Sequence, residues 1–391
     1  MNYILFDGPS RMALLPFTYT RPVADISFGI GTIRDSWERV LGFTTSTITE
    51  PYLSEAWPTV FFESNIFINA CYFPSPELVE KVKGLKENQA IFDGDSLVAF
   101  FASDSEQDID FEKFSRLVVE TPFLSLANTW DIFSKNGLAI ALDFEMLTKG
   151  SESESIPEGV QVLGASNIFI APGAKMHFCT LNATEGPIYI GPNTHIMEGS
   201  HIRGPFSLEE GAVVKMGAKI YGPTSIGVKC KVGGELNNVV MFPFSNKGHE
   251  GFLGNAVIGS WCNIGADTNN SNLKNSYENV RLWDYQEERF AKTGLQFCGL
   301  MMGDHSKCAI NTMFNTGTVV GVAANVFGAG FAKNFIPSFS WGGIQNSTTH
   351  SFEKAITTAK VVLERKGAIL SENEIEILEA VFEASKKWRK E

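Results

Sequence analysis

From Ile190 to Val232 one residue in every six is a large aliphatic, and few folds can produce that spacing. The run reads Ile190, Ile196, Ile202, Leu208, Val214, Ile220, Ile226 and Val232. Two residues before each stand Ile188, Thr194, Ser200, Phe206, Ala212, Ala218, Thr224 and Cys230, mostly compact side chains. A helix repeats every 3.6 residues and a half-buried strand every two, so neither yields a period of six. Short strands joined by sharp corners do yield it, three hexads closing one triangular coil. Residues i and i−2 of a short strand face the same way, so the compact residue points inward beside the aliphatic one. Such coils bury a continuous core only by stacking on one another. The pattern predicts a parallel β-helix in which Ile190, Leu208 and Ile226 stack in one column and Ile196, Val214 and Val232 in another.

The remaining length needs a second unit. The chain has 391 residues, 44% of them hydrophobic and 19% charged, which favours two domains. A net charge of −12 argues against nucleic acid as a partner, because backbone binding needs concentrated lysine and arginine. No run of eighteen apolar residues predicts a membrane span, and no basic segment leads into a signal-like stretch. The expectation is a cytoplasmic protein with no membrane partner. Cys230, Cys262 and Cys308 fall on inward positions of the hexads and read as small buried hydrophobes. His177 and Cys179 are close in sequence, but no further spacing suggests a metal site.

Before the coils, helix and strand patterns alternate as in an α/β layer domain. Tyr3 to Phe6 reads as a strand leading into the turn Asp7-Gly8-Pro9-Ser10. Helices are expected over 30–41, 77–85 and 125–135, and strands over 60–68 and around Asp93-Gly94-Asp95. Arg11, Arg21 and Arg34 either gather at the first turn to meet phosphate or serve as structural arginines. Asp93 and Asp95 either hold Mg²⁺ through a nucleotide's phosphates or simply form a turn. The polar run Lys149 to Ser155 marks a boundary, giving domains at 1–150 and 151–345 with C-terminal helices over 346–391.

After Val232 the rhythm breaks and returns with Ile258 and Ile264, then breaks again until Met302, Cys308, Phe314, Val320 and Val326. The gaps predict two loops leaving the wall, at about 236–256 and 272–298. The first carries His249 between Gly248 and Gly251, followed by Asn263, Asn269, Asn270 and Asn272. A histidine so placed can take a proton from an amine or hydroxyl near neutral pH, with amides nearby to hold the nucleophile. From Ser351 two helices carry apolar stripes (Phe352, Ile356, Leu363; Ile375, Leu378, Val381, Phe382) that need a surface, either the coils or a neighbouring subunit.

The ordered set Ser245-Asn246-Lys247, His249, Gly251-Phe252-Leu253-Gly254, Asn263-Ile264-Gly265-Ala266, Ser271-Asn272-Leu273-Lys274-Asn275 and Gly303-Asp304-His305-Ser306-Lys307 resembles the left-handed β-helix acyltransferases. It is most similar to a variant bacterial family of bifunctional N-acetylglucosamine-1-phosphate uridylyltransferase/glucosamine-1-phosphate N-acetyltransferases. Tyr3 to Asp7, Arg11, Leu15-Pro16 and Thr20-Arg21-Pro22-Val23 resemble that family's divergent nucleotidyltransferase-like domain. The resemblance implies a left-handed β-helix, acetyl-CoA as co-substrate, UTP and Mg²⁺ for the first domain, and a homotrimer with sites between subunits. It implies His249 as general base, Asn263 and Asn272 holding the amino sugar, and Ala266 meeting acetyl-CoA through its backbone. Phe252 stands where better-known members carry a tyrosine near the sugar. The lysine that grips the sugar phosphate has no clear counterpart, leaving Lys231 or Lys247. The first loop departs from the nucleotidyltransferase pattern, with Phe17 after Pro16 where lysine is expected. Two other readings stay open: acyl transfer to another amino sugar or nucleotide-sugar with a non-catalytic first domain, and a solenoid scaffold with no enzymatic role.

Overall fold

The computed structural model describes residues 1–102, 114–119 and 122–389. An α/β domain comes first, then a parallel β-helix, then two C-terminal helices. In the first domain six strands form a mixed sheet: β1 (Asn2–Phe6), β2 (Ser46–Ile48), β3 (Asn65–Asn69), β4 (Gln89–Asp93), β5 (Ser96–Ala102) and β6 (Ser115–Val118). Their spatial order is β2-β1-β3-β5-β4-β6. Helix α1 (Ile33–Leu41) starts on a reciprocal capping box between Thr32 and Asp35 and stops at Gly42 in the left-handed region. It buries Ile33, Trp37 and Leu41 against the sheet, the stripe its sequence predicts. Helix α2 (Pro76–Lys83) follows Ser75, whose hydroxyl caps it. The strand expected over 60–68 is shorter, because Val60, Phe61 and Phe62 are exposed and pairing begins at Asn65.

The expected helix near 125–135 is two helices, α3 (Thr129–Ser134) and α4 (Asn136–Thr148). Helix α4 escaped the sequence reading because its apolar residues lie all round it, Leu138 on an exposed face, while two of the four residues on its buried stripe are polar. Asn136, Ala139, Ile140 and Asp143 are buried. Asn136 reaches the β-helix, donating to Ser225 Oγ and accepting from Gly29 N.

The coils stack as the hexads require. Ile170, Ile190, Leu208, Ile226, Met241, Ile258, Met302, Val320 and Ile336 are successive rungs of one column. Met176, Ile196, Val214 and Val232 are rungs of a second. All eight residues at the compact positions are buried, and Thr194, Ser200 and Thr224 satisfy their hydroxyls on nearby carbonyls. All six cysteines are free and buried.

The first expected loop does not exist. Residues Glu235–Met241 and Phe252–Ile258 are strands of the wall, in register with each other. The rhythm breaks because the coil shortens: Val232 pairs with Lys247, fifteen residues on, and Leu236 with Leu253, seventeen on. The second loop is real and carries the hairpin Arg281–Asp284/Arg289–Lys292. It packs rather than projects. Trp283 stacks on Phe335 at 4.2 Å, and Tyr285 meets Tyr19 and Trp388 edge-on.

Two cores result. One fills the coils. The other joins the first domain, one outer wall of the β-helix and the C-terminal helices α5 (Phe352–Glu364) and α6 (Glu372–Ala384). In that wall Val240, Val257, Met301 and Val319 face outward, yet they are buried under the other two parts. Burial of so much shared apolar surface is the main force joining them. The helical stripes therefore rest on this same chain. Arg21 of the first domain also pairs with the buried Asp304 of the coils.

Candidate functional site

His249 lies at the corner between the strands Asn246–Lys247 and Phe252–Ile258. The corner turns through Gly251 at φ +111°. An added Cβ there would meet the Thr268 carbonyl oxygen at 2.1 Å, so glycine is required. The His249 side chain is exposed, and its ring makes no hydrogen bond among the described residues. Its backbone carbonyl is held from inside the coil by Lys247 Nζ at 2.6 Å.

The corner opens into a groove of about 740 Å³. His249, Asn263, Ala266 and Lys231 all line it, so four of the residues singled out in the sequence meet in one place. Sequence reasoning missed Lys215, Lys307, Arg365 and Lys366, which line the same groove, and no carboxylate joins them. Five cations facing one cavity favour an anionic ligand. Lys307 is signalled only by the Gly-Asp-His-Ser-Lys run; it donates to the His305 carbonyl at 2.8 Å, and burial lowers its pKa. Arg365 and Lys366 come from the end of α5, and no local pattern announces where that helix docks. Lys366 is anchored to the carbonyls of Phe244 (2.7 Å) and Lys229 and to Asn246 Oδ1. Beside them Phe244 and Trp261 stack at 4.1 Å, giving the groove one flat aromatic wall.

Three expected substrate residues stand elsewhere. Lys247 occupies the column position of an aliphatic anchor, is 1% exposed, and spends its ammonium on three carbonyls. It is not available to grip a phosphate. Phe252 and Asn272 lie outside the groove of the single chain; Asn272 Nδ2 donates to Asn255 Oδ1 at 2.8 Å. The amide-rich run has a structural use as well. Asn270, 2% exposed, bonds both the N–H and the C=O of Gly254, and Asn269 Oδ1 accepts from Phe252 N. Side-chain amides thus close a rung that backbone closes elsewhere.

In the first domain the arginines are engaged internally. Arg11 is buried and donates to Asp7 Oδ2 at 2.7 Å, to the Thr18 carbonyl and to Tyr52 Oη. Arg21 is bound to Asp304 and Ser260, and Arg34 to Asp25. Any phosphate at the first turn would have to compete with these partners. The face of Gly8 is also covered, since an added Cβ would lie 2.6 Å from Asn69. Asp93, Gly94 and Asp95 form the tip of the β4–β5 hairpin, with Asp93 Oδ2 accepting from Phe123 N. Among the described residues no group of three or more His, Cys, Asp or Glu side chains could hold a metal. Asp93 and Asp95 would hold Mg²⁺ only together with a nucleotide's phosphates.

Residues 3–152 match the family model of a sugar nucleotidyl transferase. A search of curated proteins gave no match. Among solved structures, a UDP-N-acetylglucosamine acyltransferase of Francisella novicida shares 13% identity over 60% of this chain and 76% of its own, with a TM-score of 0.28. The corresponding enzyme of Bacteroides fragilis shares 14% over 59% of this chain and 98% of its own, with a TM-score of 0.25. AntD, an N-acyltransferase of Bacillus cereus solved with dTDP and coenzyme A, shares 12% over 55% and 100%, with a TM-score of 0.23. The chain joins a nucleotidyltransferase-like domain to a hexapeptide-repeat β-helix. No helix among the described residues is long and apolar enough to cross a membrane.

Proposed function

We propose that the groove at His249 transfers an acetyl group from acetyl-CoA to the amine of a phosphorylated amino sugar, glucosamine 1-phosphate by the resemblance of the motifs. The observation that carries this reading is the pairing of an unengaged imidazole with a carboxylate-free, cation-lined cavity. Both proposed substrates are anionic, and the cations would hold their phosphates. Asn263 would orient the amine. His249 Nε2 or Nδ1 takes the amine proton as the nitrogen attacks the thioester carbonyl. Collapse of the tetrahedral adduct forms the amide and breaks the C–S bond, and the coenzyme A thiolate leaves and is protonated. Phe252 and Asn272 lie outside the groove, so their part in the reaction requires a neighbouring copy, as in a homotrimer; a sedimentation mass of one chain for the active species would remove that part. Positioned general-base catalysis supplies roughly 10²–10⁴ in rate. His249→Ala is therefore expected to lower kcat by about that factor while acetyl-CoA still raises the melting temperature. Thiol release with glucosamine 1-phosphate measures the first, and a kcat within twofold of wild type would remove the histidine from the mechanism.

The family match over residues 3–152 favours a second activity, uridylyl transfer from UTP to N-acetylglucosamine 1-phosphate. Pyrophosphate release from UTP and that sugar phosphate is the measurement, and its absence beside clean acetyl transfer would leave the first domain a structural role.

A further inference from the structure

We infer that Lys247 is a positioning residue for His249, acting from inside the coil through the histidine's own backbone. This rests on the acetyl-transfer reading above and adds to it a residue that never touches substrate. In the column Met176, Ile196, Val214, Val232 the next rung is Lys247. Ile264 lies one coil further on, where Asn263 pairs with Asn246, and Cys308 and Val326 continue the series. A charged side chain at such a site is costly unless every donor finds a partner. Here every donor does. The three N–H groups meet the carbonyls of Gly233 (3.1 Å), His249 (2.6 Å) and Glu250 (3.2 Å).

The arrangement answers a problem set by the shortened coil. The coil between Val232 and Lys247 is cut from eighteen residues to fifteen, and the corner stacked against that of His249 takes four residues from Val232 to Leu236 where a hexad takes six. The backbone there turns through Gly234 at φ +73° and Gly251 at φ +111°. An aliphatic residue in place of Lys247 would leave the His249 carbonyl facing the core with no donor. With the ammonium in place, the peptide on the C-terminal side of His249 is fixed, and the direction in which the imidazole leaves the wall is fixed with it. Catalysis is sensitive to such placement, since an error of about 1 Å can cost on the order of 10²-fold.

The test is a double-mutant cycle on thiol release, using His249→Ala, Lys247→Met and the pair. Lys247→Met keeps the length and removes the donors. It is expected to lower kcat about 10- to 100-fold with KM for acetyl-CoA within about threefold. In the His249→Ala background it should have almost no further effect, because a residue that works through the imidazole has nothing left to position. Lys247→Gln, which retains two N–H donors, should recover part of the loss. Effects that multiply, or a Lys247→Met kcat within twofold of wild type, overturn the inference. If Lys247→Met does not fold, the cycle is read on Lys247→Gln; failure of both to fold also overturns it, since the lysine then holds the coil and not the corner. A His249→Ala enzyme as fast as wild type would instead reject the acetyl-transfer mechanism itself, whatever Lys247 does.

Discussion

The coils up to Val232 and those after it are built on one plan, yet the groove proposed as the site opens where the plan changes. From Ile190 to Val232 every inward anchor is aliphatic, successive rungs of each column are eighteen residues apart, and the inward hydroxyls of Thr194, Ser200 and Thr224 donate to nearby carbonyls. In the later stretch the inward anchors include Lys247 and Asn270, coils are shortened or interrupted, and the groove opens beside them. A regular stack presents the same surface at each rung. A site needs one rung unlike its neighbours, and polar groups inside the wall make that irregular rung stable. The departures from the hexad rule therefore point toward the site, provided each is read as a solution to a backbone problem.

The largest contrast is in how the two stretches respond to substitution. Phe206→Ala in the regular coils should cost about 3–5 kcal/mol of unfolding free energy through the cavity it leaves. Acetyl transfer at a temperature where the variant is folded should stay within about twofold. Asn270→Leu restores the expected aliphatic anchor, yet it should destabilise by about 1–3 kcal/mol because the N–H and C=O of Gly254 lose the side chain that bonds both. Denaturant titration of both variants checks the pair. A stabilised Asn270→Leu would mean that the hexad rule governs the later coils as it does the earlier ones.

How much was legible follows the same division. The period of six determines the coil, its columns and its inward compact residues, because each anchor meets identical surroundings. His249, Asn263 and Ala266 were legible as groove residues through their motif, and Lys231 as one of two candidate lysines. Lys247 was misread because lysine is almost never fully buried, and nothing in the chain near it shows that three carbonyls turn inward. The loop expected over 236–256 was an error of the same kind: a shortened coil and a departing loop break the rhythm alike. Arg365 and Lys366 reach the groove only through the docking of α5, a tertiary fact. Sequence did hold one unused signal of that docking. Val240, Val257, Met301 and Val319 are apolar at positions that should face solvent in a bare solenoid, and they are covered by the first domain and the C-terminal helices.

The smallest expected effect concerns the proton on Lys247. Burial lowers its pKa to about 8, partly offset by the carboxylates of Glu250 and Asp267, while Lys219 acts in the same direction as burial and Cys308 opposes it. In the unfolded chain a lysine titrates near 10.4. Between about pH 8 and 10 the unfolded state thus binds more protons at this position than the native state, and stability from this group rises with pH. The native penalty for holding the charge is fully present below about 8 and is relieved as the pH climbs toward 10. Other groups titrate in this window too, so the informative quantity is a difference of differences. Unfolding free energies of wild type and Lys247→Met, each at pH 7.5 and 9.5, should show wild type gaining on the variant by on the order of 1–2 kcal/mol. The same deprotonation leaves two N–H donors for three carbonyls, so the His249 corner loosens while the coil as a whole becomes more stable. Parallel pH dependence of the two proteins would mean that the ammonium is as well solvated folded as unfolded, and that the inward face of the later coils is no different from that of the earlier ones.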